Sequence, residues 1–269
     1  MPVIPAEGAD VNQPGKGMRV GLFATCVNDI MFPSAPKAVA TILERLGCEV
    51  IFPTAQTCCG QMFTNTGYFS AGLATVRTYV EAFDGFDYVV SPSASCIGSV
   101  REQHPMLAEQ GTGSTHASRH DRALLQRARR LAERSYDLSE FLIDILGVVD
   151  VGAVFPHKVT YHPTCHSLRV AHVGDRPLRL LRAVRGLQLI DLPDAYTCCG
   201  FGGTFCVKNP DVSVAMASAK AHNIIATGAD YVVAGDNACL MNFGGLLHRD
   251  RASVKPIHLA EILAESRTS

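Results

Sequence analysis

Short apolar runs alternate along the chain with segments whose apolar residues repeat at helical spacing. In the first half, buried strands are predicted at 19–24, 49–52 and 88–91, and helices at 36–46 and 68–82. The same order of elements then returns. Its second and third strands are predicted at 187–192 and 231–234, and its helices at 177–185 and 211–226. Its first strand is implied by the match of the run from Val159 to the run from Val20. Strand–helix–strand order predicts parallel strands joined by crossover helices.

The two halves also match residue by residue, which indicates an internal duplication. Phe-Pro-Thr-Ala-Gln-Thr-Cys-Cys-Gly, ending at Gly60, resembles Leu-Pro-Asp-Ala-Tyr-Thr-Cys-Cys-Gly, ending at Gly200. We therefore predict an α/β fold of two homologous Rossmann-like β-α-β-α-β units with parallel sheets, related by a pseudo-twofold axis. The expected divisions are a flexible tail at 1–17, a first unit at 18–100, a helical linker at 101–156 and a second unit at 157–265.

Composition narrows the classes of function. The formal net charge is −1 and the pI is near 6.8, so nothing favours binding to nucleic acid. We expect no secretory signal and no membrane insertion, and hence a cytoplasmic protein. The chain contains 10 cysteines. Because the cytosol is reducing, they favour metal binding or redox chemistry over disulfides.

Eight of the cysteines occupy matched positions, about 140 residues apart, and each lies just beyond a predicted strand. The carboxyl ends of parallel strands share one edge of a sheet, so each half should gather four thiols there. These candidate cofactor- and metal-binding residues are Cys26, Cys58, Cys59 and Cys96 in the first half, and Cys165, Cys198, Cys199 and Cys239 in the second. No residue is assigned as catalytic.

Four thiolates match the usual ligand count of a [4Fe–4S] cluster, and one or two such clusters are predicted. Adjacent cysteines suit a cluster of several irons better than a single metal ion. Gly60 and Gly200 allow a tight turn around a bulky cofactor. Tetrahedral zinc is the alternative, at one or both sites, although the wide spacing differs from the compact Cys-x2-Cys pairs of structural zinc sites.

At these residues the chain resembles the CCG-domain (cysteine-rich domain) family of iron–sulfur proteins, and within it the lactate-utilisation proteins. The family includes the cysteine-rich subunit of heterodisulfide reductase and the glycolate oxidase iron–sulfur subunit. The resemblance rests on Cys58-Cys-Gly-Gln61 and on Cys198-Cys-Gly-Phe-Gly-Gly-Thr-Phe205. In heterodisulfide reductase a fifth cysteine completes each motif and the cluster is noncubane. Ser99 and Asn242 stand at those positions here, where a surface polar role is expected.

The resemblance implies an iron–sulfur electron-transfer subunit of an oxidoreductase complex, most closely one that oxidises L-lactate, a 2-hydroxy acid, to pyruvate. Its implied partners are the other subunits of that complex, iron–sulfur and flavin- or quinone-linked. This sequence has no evident flavin or nicotinamide fingerprint, which is consistent with a dependence on such subunits. Two alternatives stay open. One is a thiol–disulfide reductase of the heterodisulfide type, and the other is a zinc-stabilised scaffold protein.

Two cysteines and two histidines that lie outside the eight matched positions also carry predictions. Cys48 is expected to be buried packing, and so is Cys206, although Cys206 could approach the second site. We expect His162 and His166, which flank Cys165, to make hydrogen bonds near that site or to face solvent, rather than to bind metal.

Overall fold

The computed structural model describes residues 13–112 and 119–266 and contains two parallel sheets of four strands each. The first sheet has the order β2-β1-β3-β4. Its strands are β1 (Arg19–Leu22), β2 (Glu49–Ile51), β3 (Tyr88–Ser91) and β4 (Ser135–Asp137). In register, Val20 lies beside Val50 on one side and Tyr88 on the other. The chain therefore winds outwards in both directions from β1, which places a crevice between the ends of β1 and β3.

The second sheet repeats this topology with the order β6-β5-β7-β8. Its strands are β5 (Lys158–Tyr161), β6 (Gln188–Ile190), β7 (Tyr231–Ala234) and β8 (Lys255–His258). The six predicted strands and the α/β duplication are confirmed. The fourth strand of each sheet was not predicted, because Ser-Tyr-Asp and Lys-Pro-Ile-His contain no apolar run.

Fourteen α-helices lie within the described residues. They are α1 (Cys26–Met31), α2 (Ser34–Arg45), α3 (Gln61–Asn65), α4 (Phe69–Phe83), α5 (Ala94–Gly98), α6 (His104–Thr112), α7 (Arg119–Glu133), α8 (Leu138–Glu140), α9 (Cys165–Arg169), α10 (Arg176–Ala183), α11 (Phe205–Lys208), α12 (Pro210–Ala226), α13 (Asn237–Arg249) and α14 (Leu259–Ala264). Two π-helical turns, Ser99–Gln103 and Phe141–Ile145, follow α5 and α8. None of the helices in the described residues is both long and apolar enough to cross a membrane.

The four predicted helices correspond to α2, α4, α10 and α12, with ends that shift by up to two residues. Helix α2 shows why the pattern was informative. Its apolar positions Val39, Ile42 and Leu43 are all buried in the core, because residues three and four apart share one face of a helix.

Much of the segment predicted as a linker, 101–156, packs with the first unit, whereas the backbone of 153–155 hydrogen-bonds to Arg185 in the second unit. The segment supplies β4 to the first sheet, and α7 buries Leu124, Ala128 and Leu131 against the core of the first unit. Of the predicted tail, 1–12 lies outside the described residues, whereas the N–H of Gly15 donates to the Leu46 carbonyl at 2.9 Å. The unit boundaries themselves stay predictions.

At the interface between the two units, one helix of each unit packs against a helix of the other. Helix α14, which follows the second sheet, packs on α2 of the first unit, and α8, which follows the first sheet, packs on α10 of the second. The guanidinium of Arg45 donates to the carbonyl of Ala264 at the end of α14, at 3.0 Å. One apolar core consequently runs through both units, which holds the two sheets in a fixed relation.

Candidate metal centres

The first cysteine group consists of Cys26, Cys58, Cys59 and Cys96. They follow three different strands, and the structure brings them together as the topology predicts. The Sγ atoms of Cys26 and Cys58 lie 3.7 Å apart. Cys59 interacts through its thiol with both Cys58 and Cys96, which closes the group.

The second cysteine group, formed by Cys165, Cys198, Cys199 and Cys239, repeats this arrangement. The Sγ of Cys199 lies 2.8 Å from that of Cys239, and the thiols of Cys165 and Cys198 also interact. All ten cysteines fall within the described residues, and all ten are free thiols. Two sets of four free thiols, each drawn to one sheet edge, form a donor set that can hold a thiolate-binding metal or cluster.

A tight glycine turn shapes each group. Gly60 has φ +83° and Gly200 has φ +85°, a region that residues with a Cβ atom rarely adopt. The turn directs the N–H of Gly60 at the Sγ of Cys58, and that of Gly200 at the Sγ of Cys198, both at 3.4 Å. A Cβ on Gly200 would lie 2.7 Å from the Ser213 carbonyl oxygen, so the close approach itself requires glycine.

These hydrogen bonds concentrate negative charge on one sulfur of each group. Donation from Cys26, Cys59 and the Gly60 N–H lowers the pKa of Cys58 to about 3. In the same way, donation from Cys165 and Cys199 lowers the pKa of Cys198 to about 2. The arrangement therefore favours the thiolate form at one sulfur of each group, and the thiolate is the form in which cysteine binds metals.

The two groups face each other across the unit interface. Gln61, Ser95, Phe201, Gly203 and Ala238 line the spaces beside both groups. At this boundary lies the carboxylate of Asp236, which is 2 % exposed. It accepts hydrogen bonds from the hydroxyls of Ser93, Ser95 and Thr164, each at 2.7 Å.

Asp236 also organises the helices that carry the cysteines. Ser93 is the N-cap of α5, which contains Cys96, and Thr164 is the N-cap of α9, which begins at Cys165. One buried acceptor thus fixes a cap from each unit. Asp236 holds in the second unit the position of Ser93 in the first, so two equivalent positions meet at the interface. The duplication places these two residues in register, but their contact was not predicted.

Ser99 and Asn242, at the positions of the absent fifth cysteines, share one structural role. The Asn242 amide donates to the Cys199 carbonyl at 2.8 Å. The single hydroxyl proton of Ser99 has two acceptors within reach, the Gln103 side-chain oxygen at 2.8 Å and the Cys59 carbonyl at 3.3 Å. Ser99 is 1 % exposed, so the expected surface role is wrong for it. Both side chains support the backbone of the Cys-Cys-Gly turn.

The histidines near the groups differ from expectation. His162 is completely buried, so the expectation that it could face solvent is wrong, and the Ala195 backbone is its nearest hydrogen-bonding partner. Burial lowers its pKa to about 3. The Nδ1 of His166 lies 3.5 Å from the Sγ of Cys165, as expected of a neighbour. His104, which was not predicted, is buried behind the first group and contacts the Cys59 carbonyl at 2.8 Å.

The remaining two cysteines lie outside the groups. Cys48 is buried in the core, as predicted, and burial raises its pKa to about 11. The thiol of Cys206 donates to the Gly203 carbonyl at 3.1 Å, which places it beside the second group without joining it.

Comparison with known proteins gives concordant results. The family profile described as "Cysteine-rich domain" (CCG) matches residues 20–101 and 159–244. Lactate utilization protein A of Oceanobacillus iheyensis is 45 % identical over 250 residues, which cover 93 % of this chain and 98 % of that protein. Lactate utilization protein A of Bacillus subtilis (strain 168) is 42 % identical over 246 residues, which cover 91 % and 99 %.

Among solved structures, a hypothetical protein from Helicobacter pylori matches 96 % of this chain and 50 % of its own chain, with a TM-score of 0.61. The sequence identity is 12 %, so this likeness concerns the fold alone.

Proposed function

The chain belongs to the CCG cysteine-rich domain family, and from this we propose that it is the iron–sulfur electron-transfer subunit of an oxidoreductase complex that oxidises L-lactate to pyruvate. The observation that carries the proposal is the assembly of the matched cysteines into two neighbouring four-thiol groups. The relatives named Lactate utilization protein A, which align over nearly their whole length, support the link to lactate.

We assign a [4Fe–4S] cluster to one or both groups. The proposed ligands are the eight matched residues: Cys26, Cys58, Cys59 and Cys96 for the first centre, and Cys165, Cys198, Cys199 and Cys239 for the second. The donor set fits, since each group has four free sulfurs and a glycine N–H directed at one of them. When bound, such clusters supply one-electron transfer at potentials set by hydrogen bonding and solvent exposure.

Oxidation of lactate to pyruvate releases two electrons and two protons. The sequence has no evident flavin or nicotinamide fingerprint, so the substrate-oxidising step is assigned to flavin- or quinone-linked partner proteins, together with a further iron–sulfur partner. This chain would take electrons from the substrate-oxidising partner and pass them on singly. Its residues contribute by holding the two centres side by side, through the buried Asp236 and the caps that it fixes. A cytoplasmic location belongs to the same proposal, because free thiols persist in a reducing compartment.

One observation favours a second candidate. The two groups share lining residues at one interface, where a small disulfide could contact both centres, as a thiol–disulfide reductase would require. The positions of the fifth cysteines argue for electron transfer instead, because neither Ser99 nor Asn242 supplies a thiol, and the Asn242 amide donates to the Cys199 carbonyl.

Anaerobic purification with iron, sulfide and zinc analysis and EPR spectroscopy tests the assignment. We expect iron and sulfide in equal amounts and an EPR signal on reduction. Stoichiometric zinc without sulfide would contradict electron transfer and support the zinc-stabilised scaffold. Turnover of small disulfides by the isolated chain would support the reductase.

A genetic test addresses lactate itself. In a host whose growth on L-lactate depends on this protein, Cys199→Ser should abolish growth while the protein stays folded. Cys48→Ala is the matched control, because Cys48 is a buried cysteine outside both groups. If Cys199→Ser supported normal growth, the cysteine groups would not be needed for lactate oxidation.

A further inference from the structure

His162 sits directly beside the second cysteine group. It follows β5, and its N–H continues the sheet by donating to the Val233 carbonyl at 2.8 Å. This backbone position fixes where the imidazole lies. Its ring packs edge-on against Phe243, with the ring centroids 5.5 Å apart.

The imidazole is an incompletely satisfied buried polar group. The residue has no exposed surface, and neither Nδ1 nor Nε2 forms a well-aligned hydrogen bond. The Ala195 backbone lies close enough to serve as a partner for one ring nitrogen, and its carbonyl also accepts from the Lys220 amine at 3.2 Å. Buried polar atoms without a partner are rare in folded proteins. Even with the Ala195 contact, the other ring nitrogen has no partner among the described residues.

The distances indicate what a further partner would be. A ring nitrogen of His162 and the Sγ atoms of Cys199 and Cys239 all lie within 4.8 Å of one another. Metal–nitrogen and metal–sulfur bonds of about 2.0–2.3 Å place two donors of one ion roughly 3.5–4 Å apart, and donors to neighbouring irons of a cluster lie farther apart, so the three atoms are close enough to bind one centre. All three residues are buried.

The first unit has no such donor at the matching place. Phe23 occupies the position equivalent to His162, and it packs edge-on against Tyr79 at 5.1 Å. The buried histidine of the first unit, His104, has its Nε2 engaged with the Cys59 carbonyl. Near His162, the Lys220 amine cannot replace the imidazole as a donor to metal, because it is committed to the carbonyls of Asp194 and Ala195. Within the described residues, the one histidine nitrogen that lies within 4.8 Å of two cysteine sulfurs belongs to the second group.

We propose that His162 is a fifth, nitrogen donor to the metal centre in the second unit, in addition to the four cysteines of the second group, so that the two centres of the chain differ in their donor atoms. The inference rests on the proposed function in that the second group holds a metal centre. The first centre would be bound by sulfur only.

Pulsed EPR of the reduced full-length chain, with its histidines labelled with ¹⁵N, tests the ligand directly. We expect a strongly coupled histidine nitrogen in the natural protein. His162→Phe, which installs the residue of the first unit, should remove that coupling. His162→Cys should also remove it while restoring a ligand, and so should retain the full iron and sulfide content even if the phenylalanine variant does not fold.

His104→Leu is the matched control, since it removes a buried histidine beside the first group that is engaged with a backbone carbonyl, and its spectrum should keep the coupling. A loaded second centre without histidine coupling, or a coupling that survives His162→Cys, would overturn the ligand assignment alone. A chain without iron and sulfide in either unit would instead contradict the proposed function, and the inference with it.

Discussion

Replacement of Asp236 by alanine removes the acceptor that joins the two units at the cysteine edge. Three hydroxyls, on Ser93, Ser95 and Thr164, donate to this carboxylate at 2.7 Å, and the Ser95 N–H adds a fourth bond at 3.3 Å. In the variant these donors stay buried and lose their common partner. They have weaker alternatives, since the hydroxyls of Ser93 and Ser95 lie 3.2 Å apart and that of Thr164 lies 2.7 Å from that of Ser167.

The expected loss of unfolding free energy is about 3–5 kcal/mol. Each hydrogen bond to a charged acceptor contributes about 1.5–3 kcal/mol, which would give more for three short bonds. Two effects reduce that sum. The hydroxyls can turn to their alternative partners, and the variant no longer has to bury a charged carboxylate. Asp236→Asn keeps one acceptor oxygen, and its loss should be smaller, about 1–2 kcal/mol.

Urea unfolding of the full chain under anaerobic conditions, followed by far-UV circular dichroism, measures this difference. The control is Asp250→Ala, which breaks only an exposed ion pair with Arg249 and should cost under about 1 kcal/mol. If Asp236→Ala cost no more than the control, the carboxylate would not be holding the units together. A separation into two transitions would show that it couples their unfolding.

Three further predictions concern the turns and the titrating groups. Gly200→Ala should lower the unfolding free energy in urea by about 1–2 kcal/mol more than Gly60→Ala does. The Cβ at Gly200 would meet the Ser213 backbone carbonyl at 2.7 Å, whereas the Cβ at Gly60 would meet the Thr75 hydroxyl even more closely, and that hydroxyl can rotate away. Equal losses would contradict this. Burial raises the pKa of Asp137 from 3.8 to about 7. Its protonated form therefore stabilises the fold at low pH, by at most about 4 kcal/mol. This contribution is lost as the pH rises from the lower of these two pKa values to the higher. Asp137→Asn should therefore lose less stability than the natural chain when the pH is raised from 5 to 8. In the metal-free chain at pH 6, iodoacetamide should label Cys58 well before Cys48 by peptide mass analysis, because only the first of these two thiols has a lowered pKa.

The sequence alone determined much of the site, because the information was local and repeated. Apolar runs and helical spacing predicted six of the strands and four of the helices. The repeated Cys-Cys-Gly motif identified eight cysteines, and the parallel topology placed them at one edge per unit. The duplication did not predict β4 and β8, since a three- or four-residue strand with polar side chains has no periodic signal.

The tertiary structure decided the relations between the units. The contact of Asp236 with Ser93 joins residues far apart in the chain, and the burial of His162 depends on how β5, Phe243 and the second cysteine group pack together. A pattern along the chain shows which residues share a face or follow a strand. Whether a polar side chain there finds water, a backbone carbonyl or no partner depends on long-range packing, and that packing is what distinguishes His162 from its counterpart Phe23.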